Sequence, residues 1–171
     1  MKKIAIALLL STYAMAPAFA ADTPFYAGIN VGTGKIDLSG TSSTTSFELL
    51  GGYTINQYFA AEAAYSDFGN HDYPGGNMKS SAVSIKGVGA YPINEQFSVF
   101  AKLGIASTTW EVSPTGLGTA SESKTDLTYG IGGQFNINQQ IGIRLGYDVY
   151  KLGSSLSADE KVTSIGAVFK F

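Results

Sequence analysis

From Phe97 to Ile105 every second residue is apolar. Phe97, Val99, Ala101, Leu103 and Ile105 alternate with Ser98, Phe100, Lys102 and Gly104. A period of two puts these sets on opposite faces of a β-strand. The strand follows a tight turn, Tyr91-Pro92-Ile93-Asn94-Glu95-Gln96, and the turn recurs as Tyr53-Thr54-Ile55-Asn56-Gln57 and Phe135-Asn136-Ile137-Asn138-Gln139. Each time an aromatic stands two residues before Ile-Asn, and the repeats lie 38 and 44 residues apart. They read as three short turns at one end of a single antiparallel sheet.

The same alternation marks seven further strands. Strand one runs from about Phe25 to Thr33, with Phe25, Ala27, Ile29 and Val31 on one face and Tyr26, Gly28, Asn30 and Gly32 on the other. Strand two, near Ser46 to Thr54, sets Phe47, Leu49, Gly51 and Tyr53 against Glu48, Leu50 and Gly52. Strand three, Tyr58 to Asp67, sets Phe59, Ala61, Ala63 and Tyr65 against Ala60, Glu62, Ala64 and Ser66. Strand four, about Ser81 to Tyr91, sets Val83, Ile85, Gly87 and Gly89 against Ser84, Lys86, Val88 and Ala90. Strand six, Asp126 to Asn136, sets Leu127, Tyr129, Ile131 and Phe135 against Thr128, Gly130, Gly132 and Gln134. Strand seven sets Ile141, Ile143, Leu145, Tyr147 and Val149 against Gly142, Arg144, Gly146, Asp148 and Tyr150. Strand eight sets Thr163, Ile165, Ala167, Phe169 and Phe171 against Ser164, Gly166, Val168 and Lys170.

Polar stretches rich in Ser, Thr and Gly separate these strands at Gly34–Thr45, Phe68–Lys79, Trp110–Thr125 and Lys151–Lys161. Four long loops therefore alternate with three short turns. An even strand number, short turns at one end and long polar loops at the other imply an all-β fold: an eight-stranded antiparallel up-and-down transmembrane β-barrel. The rival architecture is a soluble sandwich with the apolar face as its core.

The distribution of charge favours the barrel. Glu48, Glu62, Lys86, Lys102, Arg144, Asp148 and Lys170 all fall on the mixed face. A charge turned to hydrocarbon costs about 2–4 kcal/mol at the midplane. Backbone groups find no water there, so the sheet must close on itself. Aromatics sort by height on the apolar face. Phe25, Tyr53, Phe59, Tyr91, Phe97, Phe135 and Phe171 lie near the short turns, and Tyr65, Tyr129 and Tyr147 near the long loops. Two belts of this kind fit two membrane interfaces. An eight-stranded barrel is narrow and filled by side chains. Glu48, Glu62, Lys86, Lys102, Arg144 and Asp148 should therefore form an interior carboxylate–cation network, with Glu62, Lys102 and Arg144 meeting at one level. Burial of unpaired charge is too costly for any other arrangement.

The first twenty residues do not join this pattern. Lys2 and Lys3 precede a short apolar core from Ile4 to Leu10, and Ala18-Phe19-Ala20 is a small-x-small cleavage site. These features imply a signal peptide over 1–20, cut between Ala20 and Ala21, and a barrel domain over 21–171. Without Lys2 and Lys3, nine basic residues face thirteen acidic, a net charge of −4. Nothing basic clusters along the chain, which argues against nucleic acid as a partner. There is no cysteine to staple an exported fold. The only histidine, His71, stands in a polar stretch beside Asp72, with no serine at a matching spacing, so no catalytic set is apparent. No metal ligand set is apparent. No cofactor is implied.

The residues resemble the transmembrane domain of the outer membrane protein A (OmpA) family. Tyr91-Pro92-Ile93-Asn94 followed by Val99-Phe100-Ala101-Lys102-Leu103-Gly104 is similar to that family's central turn and fifth strand. Gly51-Gly52-Tyr53 with Glu62-Ala63-Ala64-Tyr65-Ser66-Asp67 is similar to its second and third strands, and Arg144-Leu145-Gly146-Tyr147 to its seventh. The resemblance implies a Gram-negative outer-membrane location with lipid and lipopolysaccharide around the barrel. It implies that Glu62, Arg144 and Lys102 stand at the positions of a salt-bridge cluster linked to gating. Gln134 replaces a second glutamate of that cluster, and Lys86 is displaced by two residues from the family's lysine. Phe169 and the terminal Phe171 are similar to the C-terminal signal read by the barrel-assembly machinery.

Two functions follow from these readings. One is a monomeric, structural, surface-exposed barrel whose four loops contact an extracellular ligand, with no enzymatic activity. The other is a narrow gated channel for ions or small solutes, resting on the interior charges.

Overall fold

The computed structural model describes residues 23–36, 43–73, 76–114, 120–151 and 159–171. The expected cleavage site at Ala20 and Ala21 lies outside them. Eight strands run in chain order: β1 (Phe25–Ile36), β2 (Thr44–Thr54), β3 (Phe59–Tyr73), β4 (Gly76–Pro92), β5 (Phe97–Pro114), β6 (Ala120–Asn136), β7 (Ile141–Lys151) and β8 (Asp159–Lys170). Each pairs antiparallel with its sequence neighbours, and β1 pairs with β8, so the sheet is a closed barrel.

The three short turns share one mechanism. In each, the Asn that follows Ile accepts backbone N–H groups two and three residues on. Asn56 Oδ1 takes Tyr58 and Phe59, Asn94 Oδ1 takes Gln96 and Phe97, and Asn138 Oδ1 takes Gln140 and Ile141. Asparagine suits this role because its short side chain mimics a backbone carbonyl. Barrel closure at the same end is reinforced where Phe171 N donates to Phe25 O, and Thr23 Oγ1 to Phe171 O.

The alternating faces separate as hydrocarbon requires. Ile85 is 64 % exposed and Leu103 60 %, while their strand neighbours Lys86 and Lys102 are 2 % and 3 % exposed. Both aromatic belts stand on the outer face. An apolar surface of this extent is a membrane surface. Val149 departs from the pattern. The alternation places it outward and exposed, yet it is buried. It is the cross-strand partner of Tyr129 on one side and Lys161 on the other, so two longer side chains flank it on the same face.

The long polar stretches are shorter than the sequence suggests. Phe68–Tyr73 continues β3, and β4 begins at Gly76. The expected loop from Trp110 to Thr125 is largely strand, since β5 runs to Pro114 and β6 starts at Ala120. Likewise β1 reaches Ile36 and β2 begins at Thr44, while β8 begins at Asp159. Beyond the hydrocarbon the outer strand face meets water and need not be apolar, so hydrophobic alternation fades while backbone pairing continues. His71 and Asp72 thereby join β3 by their backbone, paired with Met78 and Asn77.

The added length is uneven. Strands β3 to β6 are 15 to 18 residues long, whereas β1, β2, β7 and β8 are 11 or 12. On β6 the pairing with β7 stops at Thr128, but that with β5 continues to Ala120. A four-stranded sheet from β3 to β6 therefore stands above the rest of the wall.

Candidate functional site

The lumen holds two polar layers. In the one nearer the short turns, Arg144 of β7 reaches across the barrel to Glu62 of β3, with Nη1 2.5 Å from Oε1. Tyr26 OH donates to the same Oε1 at 2.8 Å. Arg144 also donates through Nε and Nη2 to Gln134 Oε1, at 3.2 and 3.0 Å. Gln134 Nε2 then donates to Asn136 Oδ1 at 2.8 Å. The guanidinium lies 4.9 Å from the centre of the Phe100 ring, close enough for a cation–π contact.

In the second layer Asp148 binds two cations. Lys102 Nζ stands 2.9 Å from Oδ2, and Lys86 Nζ 3.3 Å from Oδ1. Lys86 also lies 3.5 Å from Glu48 Oε2 and donates to Tyr150 OH at 2.9 Å. Glu48 accepts from Asn30 Nδ2 at 2.7 Å and from Ser66 Oγ and Tyr150 OH at 3.1 Å each. Each carboxylate thus meets at least one cation and at least one further donor, which is what buried ion pairs need to offset desolvation.

These contacts divide the six charges differently from the sequence expectation. Lys102 does not join Glu62 and Arg144; its ammonium is held by Asp148. Counting residues up from the turns takes no account of the stagger between barrel strands. In the register, Lys102 and Asp148 both pair with Gly130, so they face each other across a glycine. A Cβ on Gly130 would lie 2.5 Å from Asp148 Oδ1. The same device recurs below. Tyr26 and Glu62 both pair with Gly52, and a Cβ there would enter the Tyr26 ring. Glycine in these strands makes room for side chains to bridge two strands.

Sequence reasoning missed Tyr26, Asn30, Ser66 and Tyr150 as members of the network. Each sat visibly on the mixed face, but only register shows which charge it meets. It also missed Phe68. This residue lies within a stretch read as loop, yet it is 1 % exposed and its ring stands 4.9 Å from that of Tyr150. With Ala82, Ala106 and Val162 these two rings form an apolar layer at the long-loop side of the charges. The lumen void beside this layer, lined by Asn30, Glu48, Ser66, Asp148 and Tyr150 among others, measures about 10 Å³. That is room for about one water molecule. Among the described residues no three His, Cys, Asp or Glu side chains gather as a metal site.

A closed sheet with a lipid-facing apolar band, two aromatic girdles and a polar, filled lumen defines a transmembrane β-barrel of the outer-membrane type. Residues 5–171 match the family described as the outer membrane protein beta-barrel domain, and the chain belongs to that family. It resides in the Gram-negative outer membrane. No curated protein matches it at a significant level. Among solved structures it is similar to Neisserial surface protein A (NspA), with a TM-score of 0.78 and 16 % identity over 87 % of this chain and 98 % of that one. It is similar to Ail, the attachment invasion locus protein of Yersinia pestis, with a TM-score of 0.65 and 22 % identity over 88 % of this chain and 100 % of that one. The N-terminal β-barrel domain of Pseudomonas aeruginosa OprF gives a TM-score of 0.65 at 12 % identity, over 85 % of this chain and 97 % of that one. At these identities the likeness is one of fold.

Proposed function

We propose that this protein acts through its outside: it is a sealed structural barrel that holds an extracellular surface for contact with other cells or matrix. The observation that carries this reading is the filled lumen. Among the described residues, two salt-bridged layers and an apolar layer lie across the bore, and the void between them beside Tyr150 measures about 10 Å³. A hydrated ion needs more space than that. The sheet of β3 to β6 rising above the wall adds a platform for recognition. The attachment-locus name of Ail, a structural neighbour, fits the same reading. Planar-bilayer recordings test the sealed lumen, and binding of the purified barrel to immobilised matrix proteins tests the surface. Steady single-channel openings in the wild-type protein would overturn the first, and no binding by cells or purified barrel the second.

The alternative is a gated channel, resting on the interior charges that lie in two adjacent layers. It requires openings that Arg144→Ala abolishes or locks. We further propose that residues 1–20 direct export and are removed between Ala20 and Ala21. Phe169 and Phe171 serve the assembly machinery, and lipopolysaccharide surrounds the monomer. Edman or mass-spectrometric reading of the mature N-terminus, and the insertion yield of Phe171→Ala, test the first two. Recovery of unprocessed protein, or full insertion of the variant, would refute them.

A further inference from the structure

Buried polar atoms without a partner gather on one wall of the upper lumen. Ser80 and Ser84 of β4 are 1 % and 2 % exposed, and neither hydroxyl has a hydrogen-bond partner. The register places Ser84, Ala106 and Asp126 in one row, and Asp126 Oδ2 is likewise buried and unpartnered. One row outward stand Ala82, Thr108 and Lys124, and one row further Ser80 and Trp110. These residues alternate with the exposed outer positions Ser107, Ser123 and Thr125, so they share the lumen face. Thr108 is buried, whereas Trp110, Lys124 and Asp126 are half-buried, within reach of the outside medium. Pairing of β6 with β7 stops at Thr128, so Lys124 and Asp126 belong to the sheet that projects above the wall.

Lys124 and Asp126 stand two residues apart on one strand face, about 6.5–7 Å along the strand. Among the described residues they form no ion pair with each other or with any other group. Two neighbouring hydroxyls of one small molecule bridge that span. One accepts from the ammonium, and the other donates to Asp126 Oδ2. Trp110 lies on the diagonal from Lys124, a separation that aromatic and long side chains cover. Its indole adds a flat apolar surface beside the polar groups. Water would satisfy the hydroxyls and the carboxylate, but it gains nothing from the indole. A pyranose ring meets both demands, with hydroxyls on its rim and C–H groups on its face. The single ammonium and the single carboxylate offset each other, which favours a neutral ligand over a polyanion.

We propose that Trp110, Lys124 and Asp126, with Thr108 and Ser80 beside them, form a seat for one neutral pyranose unit of an extracellular glycan. The ring stacks on the indole while its hydroxyls bridge Lys124 and Asp126. The seat rests on reading the barrel as a surface for extracellular contact, and it names the chemistry of the partner. It uses the lumen side of the projecting sheet, above the apolar layer of Phe68 and Tyr150.

The test uses the full mature barrel in nanodiscs against a printed set of neutral and sulfated oligosaccharides built from hexose and N-acetylhexosamine units. Oligosaccharides that bind are then titrated in solution while the emission of Trp110, the single tryptophan, is followed. At least one neutral oligosaccharide should bind and shift that emission. Trp110→Ala should weaken its binding about tenfold or more, as removal of an aromatic anchor does. Lys124→Gln and Asp126→Asn should each weaken it severalfold, and Trp110→Phe should keep part of it. Thr109→Ala, on the outer face of the same strand, should leave it unchanged. The heat-dependent gel shift of a folded barrel is checked for each variant, and if Trp110→Ala lacks it, the Lys124 and Asp126 variants decide. Binding of no neutral oligosaccharide by the wild type overturns the proposal, since the unpartnered atoms then hold water only. Equal binding by wild type and the folded variants overturns it as well, and so does binding of sulfated oligosaccharides alone. Matrix binding that survives both Trp110→Ala and enzymatic deglycosylation of the matrix sinks the seat but leaves the contact surface standing. Oligosaccharide binding without any binding to matrix or cells does the reverse.

Discussion

Replacing Arg144 with methionine removes the cation of the lower layer while keeping most of the side-chain volume. Glu62 then retains only the hydrogen bond from Tyr26, and Gln134 Oε1 loses both of its guanidinium donors. Breaking a buried pair by removing one partner costs about 3–5 kcal/mol, because the remaining charge stays desolvated. With a urea slope of about 2 kcal/mol/M, the unfolding midpoint should fall by about 1.5–2.5 M. The fraction folded can be read from the mobility of unheated samples on gels, with fluorescence of the single tryptophan, Trp110, as a second probe. Adding Glu62→Gln to Arg144→Met should restore most of the loss, since a neutral amide replaces the stranded carboxylate. The pair is therefore strongly non-additive in a double-mutant cycle. A single variant that loses under about 1 kcal/mol, or a double variant that loses the sum of both singles, would show that the lumen is wet enough to solvate Glu62. The filled-lumen argument would then fail.

Asp148→Ala should be about as costly, since it strands Lys102 and leaves Lys86 with Glu48 and Tyr150; urea titration of the same kind checks it. Gly69→Ala should cost about 1–2 kcal/mol, because Gly69 has φ of 77° at the irregularity in the β3–β4 pairing and a Cβ would lie 2.8 Å from Thr45 O. Full stability of that variant would contradict the left-handed conformation. Leu103→Arg, on the outer face, should destabilise the barrel by about 2–4 kcal/mol in lipid vesicles, while Ser107→Arg, four residues towards the outside, should cost about 0–1 kcal/mol. Equal costs at both positions would remove the hydrocarbon band from that surface. Gly52→Ala should weaken the fold through the Tyr26 ring, and Tyr26→Leu in the same chain should relieve much of the effect; no relief would place the clash elsewhere.

Much of this protein follows from local chemistry and was open to reading in one dimension. Period-two alternation defined the strands because side chains leave a pleated backbone alternately. Hydrocarbon on one side and a narrow lumen on the other forbid charge on the outer face, so Glu62, Lys86, Lys102, Arg144 and Asp148 declared their direction. Three Ile-Asn turns marked their own positions because asparagine caps the following backbone locally. Strand ends were less legible. Above the membrane, residues such as Thr108, Thr109 and Ser123 pair as strand although neither face need be apolar, so the alternating signal is lost before the ladder ends.

The partners inside the lumen came only with the tertiary structure. Which carboxylate meets which cation depends on the stagger of eight strands, a quantity fixed by closure around the whole barrel and written in no single segment. Lys102 consequently sits with Asp148 across Gly130, and Arg144 alone spans the bore to Glu62. The same closure pairs Lys35 with Lys161, residues far apart along the chain. Alternation is a property of neighbours along the backbone; register and cross-barrel contact belong to the closed ring.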